Sequence, residues 1–205
     1  MKSEQEYFND LTQIRTMMER STKFLSLAGW SGIVTGIFGL ASASIAIWMI
    51  GSTGSPAIVG YEGLDPEALE LLLLTVITLL VSIATVVLFS YRKSSQKGEP
   101  VWNAAARRLV LNMAIPLLAG AIMSVILWHN GVAGLIPAAM LVFYGMAMLN
   151  AGNFTYGEVR YLGMIELALG LLAAQFSGFS LIFWAMGFGV MHIAYGIYLH
   201  VRYEK

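Results

Sequence analysis

The chain contains no cysteine and few charged residues. The absence of cysteine excludes disulfide bonds, thiolate metal sites and cysteine nucleophiles. Lys, Arg, Asp and Glu together account for 12% of the residues, and their formal charges sum to +0. This balance indicates neither a basic nucleic-acid-binding surface nor a strongly charged tail. A nucleic-acid partner is therefore not expected.

Apolar residues are abundant instead. They make up 58% of the 205 residues, against about 45–50% in soluble domains. Six apolar runs approach the ~20 residues that a helix needs to cross the hydrocarbon core of a bilayer. These runs cover residues 24 to 50, 70 to 91, 106 to 128, 132 to 149, 160 to 176 and 179 to 200. The pattern predicts an all-α membrane protein, with residues 24 to 205 forming one bundle of six transmembrane helices.

Five spans is the competing count, because the run at 160 to 176 is short. The distribution of the basic residues favours six. With six spans and the N-terminus inside, all the Lys and Arg residues fall on one side of the membrane. They are Lys2, Arg15, Arg20, Lys23, Arg92, Lys93, Lys97, Arg107, Arg108, Arg160, Arg202 and Lys205. Because loops rich in Lys and Arg stay on the cytoplasmic side, both termini are expected in the cytoplasm.

Residues 1 to 23 have a different pattern. They begin with a helix-capping box, Ser3 to Glu6, and continue with apolar residues at alternating spacings of four and three. The apolar positions are Tyr7, Leu11, Ile14 and Met18. This predicts an amphipathic helix that lies on the inner leaflet. A helix that docks on a partner or dimerises is the alternative.

Three polar side chains interrupt the apolar runs. Glu166, His192 and Asn112 lie six, ten and four residues from the nearest arginine of their runs, hence about 9, 15 and 6 Å deep at 1.5 Å per residue. Polar groups in hydrocarbon gain by meeting one another. We therefore expect these three to converge in the cytoplasmic half. Pro116 adds an acceptor there, because a proline cannot donate to the carbonyl four residues earlier, that of Asn112.

This polar cluster has two interpretations. A buried carboxylate beside an imidazole can exchange a proton and serve as a relay or an ion site. The same three side chains can also be a structural clamp that holds the helices together. A metal centre would need a third strong ligand, which the sequence does not supply. No metal, cofactor or catalytic residue is predicted.

Glycines mark two faces for close helix packing. They are Gly29, Gly32, Gly36 and Gly39 in the first run and Gly187, Gly189 and Gly196 in the last. The segment GWSG contains Ser31, which with His192 resembles the serine and histidine of rhomboid-like intramembrane proteases. That family places its serine on the fourth span, whereas Ser31 lies on the first. Packing is therefore the favoured interpretation.

Two longer segments resemble a known group of proteins. RSTKFLSLAGWSGIVTG and FTYGEVRYLGMIELALGLLAAQFSGFSLIFWAMGFGVMHIAYG are similar to a family of small bacterial multi-span membrane proteins of uncharacterised function. The resemblance covers most of the chain and includes Glu166 and His192. It implies the bacterial plasma (inner) membrane and brings no activity, substrate or site assignment.

A bundle with one polar cluster and no catalytic motif favours a non-catalytic membrane protein: an accessory, sensor or assembly protein. A small proton-coupled transporter or ion channel that uses Glu166 and His192 is the alternative, and an intramembrane serine hydrolase is the distant third. The expected partner is the lipid bilayer. A second copy of the chain or another membrane protein remains an open alternative.

The topology can be tested by cysteine labelling. Impermeant thiol reagents applied outside intact cells should label cysteines placed at Ser55 and Asn130 but not at Asn153, because only the first two lie in external loops of the six-span topology. Cells made permeable provide the control, in which Asn153→Cys should react. External labelling at Asn153 would overturn the six-span topology.

Overall fold

The computed structural model describes residues 24–25, 28–52, 66–96, 98 and 100–204. The described residues form helices and turns and contain no strand, as the all-α prediction requires. The predicted amphipathic helix over residues 1 to 23 lies outside the described residues.

Helices cover all six predicted runs. The first five are α1 (Gly29–Ser52), α2 (Pro66–Gln96), α3 (Ala104–His129), α4 (Ile136–Ala151) and α5 (Val159–Gln175), with a 3-10 turn, Ala133–Leu135, before α4. The C-terminal span starts with a 3-10 turn, Ser177–Phe179, and continues as α6 (Ser180–Trp184), a π-helical segment (Ala185–Met191) and α7 (His192–Tyr203). α3 continues unbroken through Pro116.

Within the described residues, five helical segments are long and apolar enough to cross a membrane. They are Gly29–Gly51, Leu69–Gln96, Ala104–His129, Ala133–Ala151 and Ser177–Tyr203. α5 has 17 residues and is about 26 Å long at 1.5 Å per residue, a little less than the ~30 Å hydrocarbon core. The described residues therefore contain the helices of a multi-pass membrane protein. α5 is not among the five, because it is shorter than the 18 residues required of a span, whereas α4 reaches 19 residues with the 3-10 turn before it.

The first helix begins later than the sequence pattern indicates. Phe24 and Leu25 are not helical, because the loop between α4 and α5 binds their backbone. The Phe24 N–H donates to the Phe154 carbonyl at 2.7 Å, and the Thr155 hydroxyl donates to the Phe24 carbonyl at 2.6 Å. The Tyr156 hydroxyl donates to the Leu25 carbonyl at 2.8 Å. Tertiary hydrogen bonds thus hold the described residues 24 and 25 in a non-helical conformation.

Successive helices run antiparallel. The start of α3, the end of α4, the start of α5 and the end of α7 share one apolar cluster, which includes Leu109, Ala151, Val159 and Leu199. A second cluster at the opposite end includes Ala43, Ala138, Ala173 and Trp184. The first cluster lies at the end of the bundle that carries the described Lys and Arg residues, which we call the basic end.

Glu204 joins three helices at the basic end. Its carboxylate accepts a hydrogen bond from the N–H of Gly29 at 2.9 Å and from Nζ of Lys93 at 2.8 Å. The second oxygen lies 2.8 Å from Nδ1 of His200. Burial alone would raise the pKa of Glu204, but the bonds from His200, Lys93 and Gly29 hold that pKa below its ordinary value. A carboxylate at the start of α1 also favours the helix dipole.

Glycines bring α1 against the C-terminal span at backbone contact. A Cβ on Gly29 would lie 2.6 Å from the Gly196 carbonyl oxygen, and a Cβ on Gly36 would lie 2.7 Å from that of Gly189. Gly32 and Gly39 approach the backbone of Gly196 and Phe188, respectively. These are the glycine faces that the sequence marked, and they meet each other because neither carries a side chain at the contact.

A second glycine contact, which sequence reasoning missed, joins α4 and α5. A Cβ on Gly145 would lie 2.8 Å from the Gly163 carbonyl oxygen, and a Cβ on Gly163 would lie 2.8 Å from that of Gly145. Two turns after Gly163 on α5, Gly170 lies against Val142 of α4, and a Cβ on Gly170 would lie 2.8 Å from the Val142 backbone nitrogen. These glycines let α5 approach α4 closely along most of its length, which fixes the level at which Glu166 enters the bundle.

The close contact of α1 predicts unequal effects of two identical substitutions in that helix. Gly36→Ala should lower the free energy of unfolding by about 1–3 kcal/mol, because the added methyl group overpacks against backbone that cannot move aside. Gly51→Ala is the matched control, since nothing lies within 4 Å of its Cβ position. Unfolding of both variants by denaturing detergent in mixed micelles measures the difference, and equal stabilities would contradict the packing described here.

Candidate functional site

Glu166 is the centre of the candidate site. It lies near the middle of α5 and is 0% exposed. The side chain points at the C-terminal span, where Gly187 leaves room for it. A Cβ on Gly187 would collide with Oε2 of Glu166 and would lie 2.5 Å from Cδ2 of Leu141. The carboxyl group therefore fills a close-fitting space inside the bundle.

His192 is the ionisable neighbour of this carboxyl group. Its Nδ1 lies 3.3 Å from Oε1 of Glu166 and 3.0 Å from the carbonyl oxygen of Gly187. A carbonyl oxygen only accepts, so Nδ1 carries a hydrogen and directs it at Gly187. The Glu166 contact has the distance of an ion pair but is not a hydrogen bond, since the N–H is aimed elsewhere.

Tyr144 on α4 completes the group. Its hydroxyl lies 2.8 Å from Nε2 of His192. With the hydrogen on Nδ1, a neutral imidazole has a free lone pair on Nε2, so the tyrosine hydroxyl donates to it. Phe188 covers this contact, with its ring centroid 4.8 Å from that of Tyr144 and 5.8 Å from that of His192. The site thus consists of Glu166, His192 and Tyr144 under an aromatic cover.

The π-helical segment positions Gly187 for its role. Gly187 precedes His192 by five residues, which is the repeat of a π-helix and not of an α-helix. The π-helical segment covers Ala185–Met191, and its wider turn places the Gly187 carbonyl beside the ring of His192, the residue that follows it. π-helical turns inside longer helices frequently occur at functional sites. Here the turn serves to orient the imidazole next to the carboxyl group.

The carboxyl group itself lacks hydrogen bonds. Neither Oε1 nor Oε2 of Glu166 has a hydrogen-bond partner in the described part of the chain. An ionised carboxylate buried without partners is unfavourable by several kcal/mol. One proton, on the carboxyl group or on His192, would make the site neutral overall, and on His192 it would create an ion pair at 3.3 Å.

Asn112, the third residue expected in this cluster, makes a different contact. Its Nδ2 donates to the carbonyl oxygen of Arg108 in its own helix at 2.8 Å. α3 packs mainly on α4, with which it forms an antiparallel pair. The Asn112 amide thus makes a hydrogen bond within one turn of its own helix, so this donor does not need a partner on α5 or α7. The side chain that is hydrogen-bonded to Nε2 of His192 is that of Tyr144.

Ser31 and His192 do not form a serine–histidine pair in this structure. The Ser31 hydroxyl donates to the carbonyl oxygen of Ala28 at 2.6 Å. Both ring nitrogens of His192 are engaged by Gly187 and Tyr144. Ser31 is buried where α1 meets the C-terminal span, beside the glycine contact. Its hydroxyl caps a local turn at the start of α1.

Tyr144 is the site residue that sequence reasoning missed. The available signal was its position: it lies in the middle of an apolar run, whereas tyrosines in membrane proteins are enriched at the two interfaces. Among the described residues, no group of three or more His, Cys, Asp and Glu side chains could hold a metal ion. No protein-family model, curated protein or solved structure matches the chain.

These contacts predict opposite effects for two substitutions. Glu166→Met should leave the free energy of unfolding unchanged or raise it, because no hydrogen bond is lost and His192 keeps both partners. Tyr144→Phe should lower it by about 1–3 kcal/mol, because Nε2 of His192 is left unpaired.

Unfolding in mixed micelles measures both changes, with Tyr161→Phe as the control at a tyrosine that is 66% exposed. A loss of about 3 kcal/mol or more in Glu166→Met, the size expected for breaking a buried pair, would show that the carboxyl group is a structural clamp.

Proposed function

We propose that the protein is a non-catalytic sensor or accessory protein of the membrane, and that its signal is the proton bound by Glu166 and His192. The main support for this proposal is the carboxyl group of Glu166, which is fully buried and has no hydrogen-bond partner among the described residues. It lies 3.3 Å from Nδ1 of His192. A purely structural clamp would use its hydrogen-bonding capacity. An ionisable group in a transmembrane helix is a functional site by default.

The response to the proton follows from the position of the pair. Glu166 belongs to α5 and His192 to the C-terminal span, so the proton changes the interaction between these two elements. The C-terminal span in turn contacts α1 through the glycine faces. Loss of the proton would leave a negative charge on a carboxyl group with no exposed surface, which favours separation of the span from α5. This separation is the proposed signal.

The proposal includes the placement of the protein. Six spans with both termini in the cytoplasm agree with the distribution of basic residues and with the antiparallel order of the helices. α5 then crosses as a short span, which a locally thinner bilayer or the adjoining turn accommodates. The bacterial plasma (inner) membrane follows from the resemblance described above. A second copy of the chain or another membrane protein would receive the signal.

A proton-coupled transporter or channel is the second candidate, and one observation favours it. Two buried hydroxyl groups on the C-terminal span, those of Ser180 and Tyr195, have no hydrogen-bond partner among the described residues. They lie on opposite sides of His192 along the span. Unpaired hydroxyl groups on both sides of a protonatable pair are suited to a path across the membrane.

The proton can be observed by infrared spectroscopy of the protein in lipid vesicles. Wild-type protein titrated between pH 4 and 10 should show a change in the carboxyl and carboxylate bands that is missing in Glu166→Gln, because glutamine cannot bind the proton. Glu70→Gln is the matched control, since Glu70 is an exposed carboxyl group near the start of α2, and it should keep the Glu166 bands.

Two outcomes would contradict the proposal. Identical spectra for wild type and Glu166→Gln over the whole range would show that Glu166 does not exchange a proton. Proton flux across the vesicle membrane that requires Glu166 would replace the sensor with the transporter.

A further inference from the structure

The basic end carries more positive than negative charge. In the part of the chain that the structure describes, the acidic side chains of this end are Glu158 and Glu204. Its basic side chains are Arg92, Lys93, Arg107, Arg108, Arg160 and Arg202. Six positive charges against two negative ones leave a formal excess of four in these residues.

Both carboxylates of this end already have cationic partners. Oε1 of Glu204 lies 2.8 Å from Nζ of Lys93, and Oε1 of Glu158 lies 3.6 Å from Nε of Arg202. Arg160 donates a hydrogen bond at 2.7 Å to a side-chain oxygen in the loop before α5. The side chains of the other three arginines have no ion pair and no hydrogen bond within the described ranges. We call them the unpaired arginines: Arg92, Arg107 and Arg108.

The unpaired arginines lie close to the ends of their helices. Arg92 is four residues from the end of α2, and Arg107 and Arg108 are three and four residues from the start of α3, hence at most about 6 Å along the axis. All three are exposed. Tyr91 and Trp102 beside them are exposed as well, and aromatic side chains are enriched at the membrane–water interface. The guanidinium groups therefore lie at the level of the lipid headgroups.

Exposed apolar side chains continue from these arginines towards the middle of the membrane. Residues four apart lie on the same face of a helix. Leu88 precedes Arg92 by four residues, and Leu111 follows Arg107 by four, with Ile115 four residues beyond it. These three apolar side chains are exposed. Each of the two helices thus has a stripe with a positive charge at the interface and apolar surface below it.

The two stripes begin in one region of the basic end. Nζ of Lys93, the residue next to Arg92, lies 5.7 Å from the ring centroid of Tyr156. Tyr156 belongs to the same apolar cluster as Ala105 and Ala106, the residues just before Arg107. The end of α2 and the start of α3 therefore meet at one cluster, and the unpaired arginines surround it.

We propose that the basic end selects anionic phospholipids, with the unpaired arginines on the phosphate groups and the two apolar stripes against the acyl chains. A guanidinium group binds phosphate oxygens through two parallel hydrogen bonds. A soluble phosphate or an acidic segment of another protein would use the arginines but leave the apolar stripes without a role. The inference goes beyond the proton of Glu166 and His192 and does not depend on it.

Native mass spectrometry can count single bound lipids and so test this inference. The protein in non-ionic detergent micelles is titrated with phosphatidylglycerol or with phosphatidylcholine of the same acyl chains. Arg92→Gln, Arg107→Gln and Arg108→Gln should each weaken phosphatidylglycerol binding about fivefold, the factor expected for one basic residue at an anionic surface. The triple variant should lose roughly 100-fold and bind the two lipids alike. The single variants carry the test if the triple variant does not fold.

Arg202→Gln is the matched control. It removes the same charge from a side chain that is 56% exposed, but this charge is already offset by Glu158. At an ionic strength of about 0.15 M, charges more than about 8 Å apart are largely screened. Arg202→Gln should therefore change phosphatidylglycerol binding much less than each of the other three substitutions. Equal losses in all four variants would show that only the net charge of the protein matters, which overturns the assignment to the unpaired arginines.

Two further outcomes would overturn the inference. Equal affinity of the wild-type protein for the two lipids would show that the basic end does not select anionic headgroups. Inorganic phosphate that displaces phosphatidylglycerol at the lipid's own concentration would show that the arginines bind free phosphate. Glu166→Gln should bind phosphatidylglycerol as the wild type does, so this inference and the proposed function fail independently.

Discussion

The burial of one carboxyl group is the constraint on which this structure depends. Glu166 has no exposed surface, and an unneutralised charge there would be unfavourable by several kcal/mol. Three features of the fold make room for the carboxyl group and hold the imidazole next to it. Gly187 has no side chain, so the carboxyl group has a place to lie. The π-helical segment places the Gly187 carbonyl where the ring Nδ1–H of His192 donates to it. The Tyr144 hydroxyl is hydrogen-bonded to the other ring nitrogen, Nε2. The imidazole is thereby held 3.3 Å from the carboxyl group without being bonded to it.

In this arrangement the orientation of the His192 ring does not depend on Glu166. The imidazole has two hydrogen-bond partners of its own, so it keeps its orientation whichever way the carboxyl group is charged. The carboxyl group has no hydrogen bond in the described residues, so a change at this group would break no hydrogen-bond network. A site in which all polar groups are paired with one another would resist such a change. The geometry is therefore better suited to exchange than to fixing the fold.

The rest of the bundle supplies a rigid frame for this site. Glycine contacts join α1 to the C-terminal span and α4 to α5 at backbone distance. Glu204 ties α1, α2 and α7 together at the basic end. The helices that carry Glu166, His192 and Tyr144 are thus held by close contacts with their neighbours.

The sequence by itself determined the helical class, the position of the apolar runs, the glycine faces and the choice of Glu166 and His192. These follow from local properties: hydrophobic length, the missing side chain of glycine, and the price of an ionisable group in hydrocarbon. Only the tertiary structure decided the partners. Asn112 satisfies its amide within its own helix, and Tyr144 arrives beside His192 from a different one. Depth along a helix can be counted from the sequence, but the direction in which a side chain faces depends on how neighbouring helices are rotated, and that is set by packing across the whole bundle.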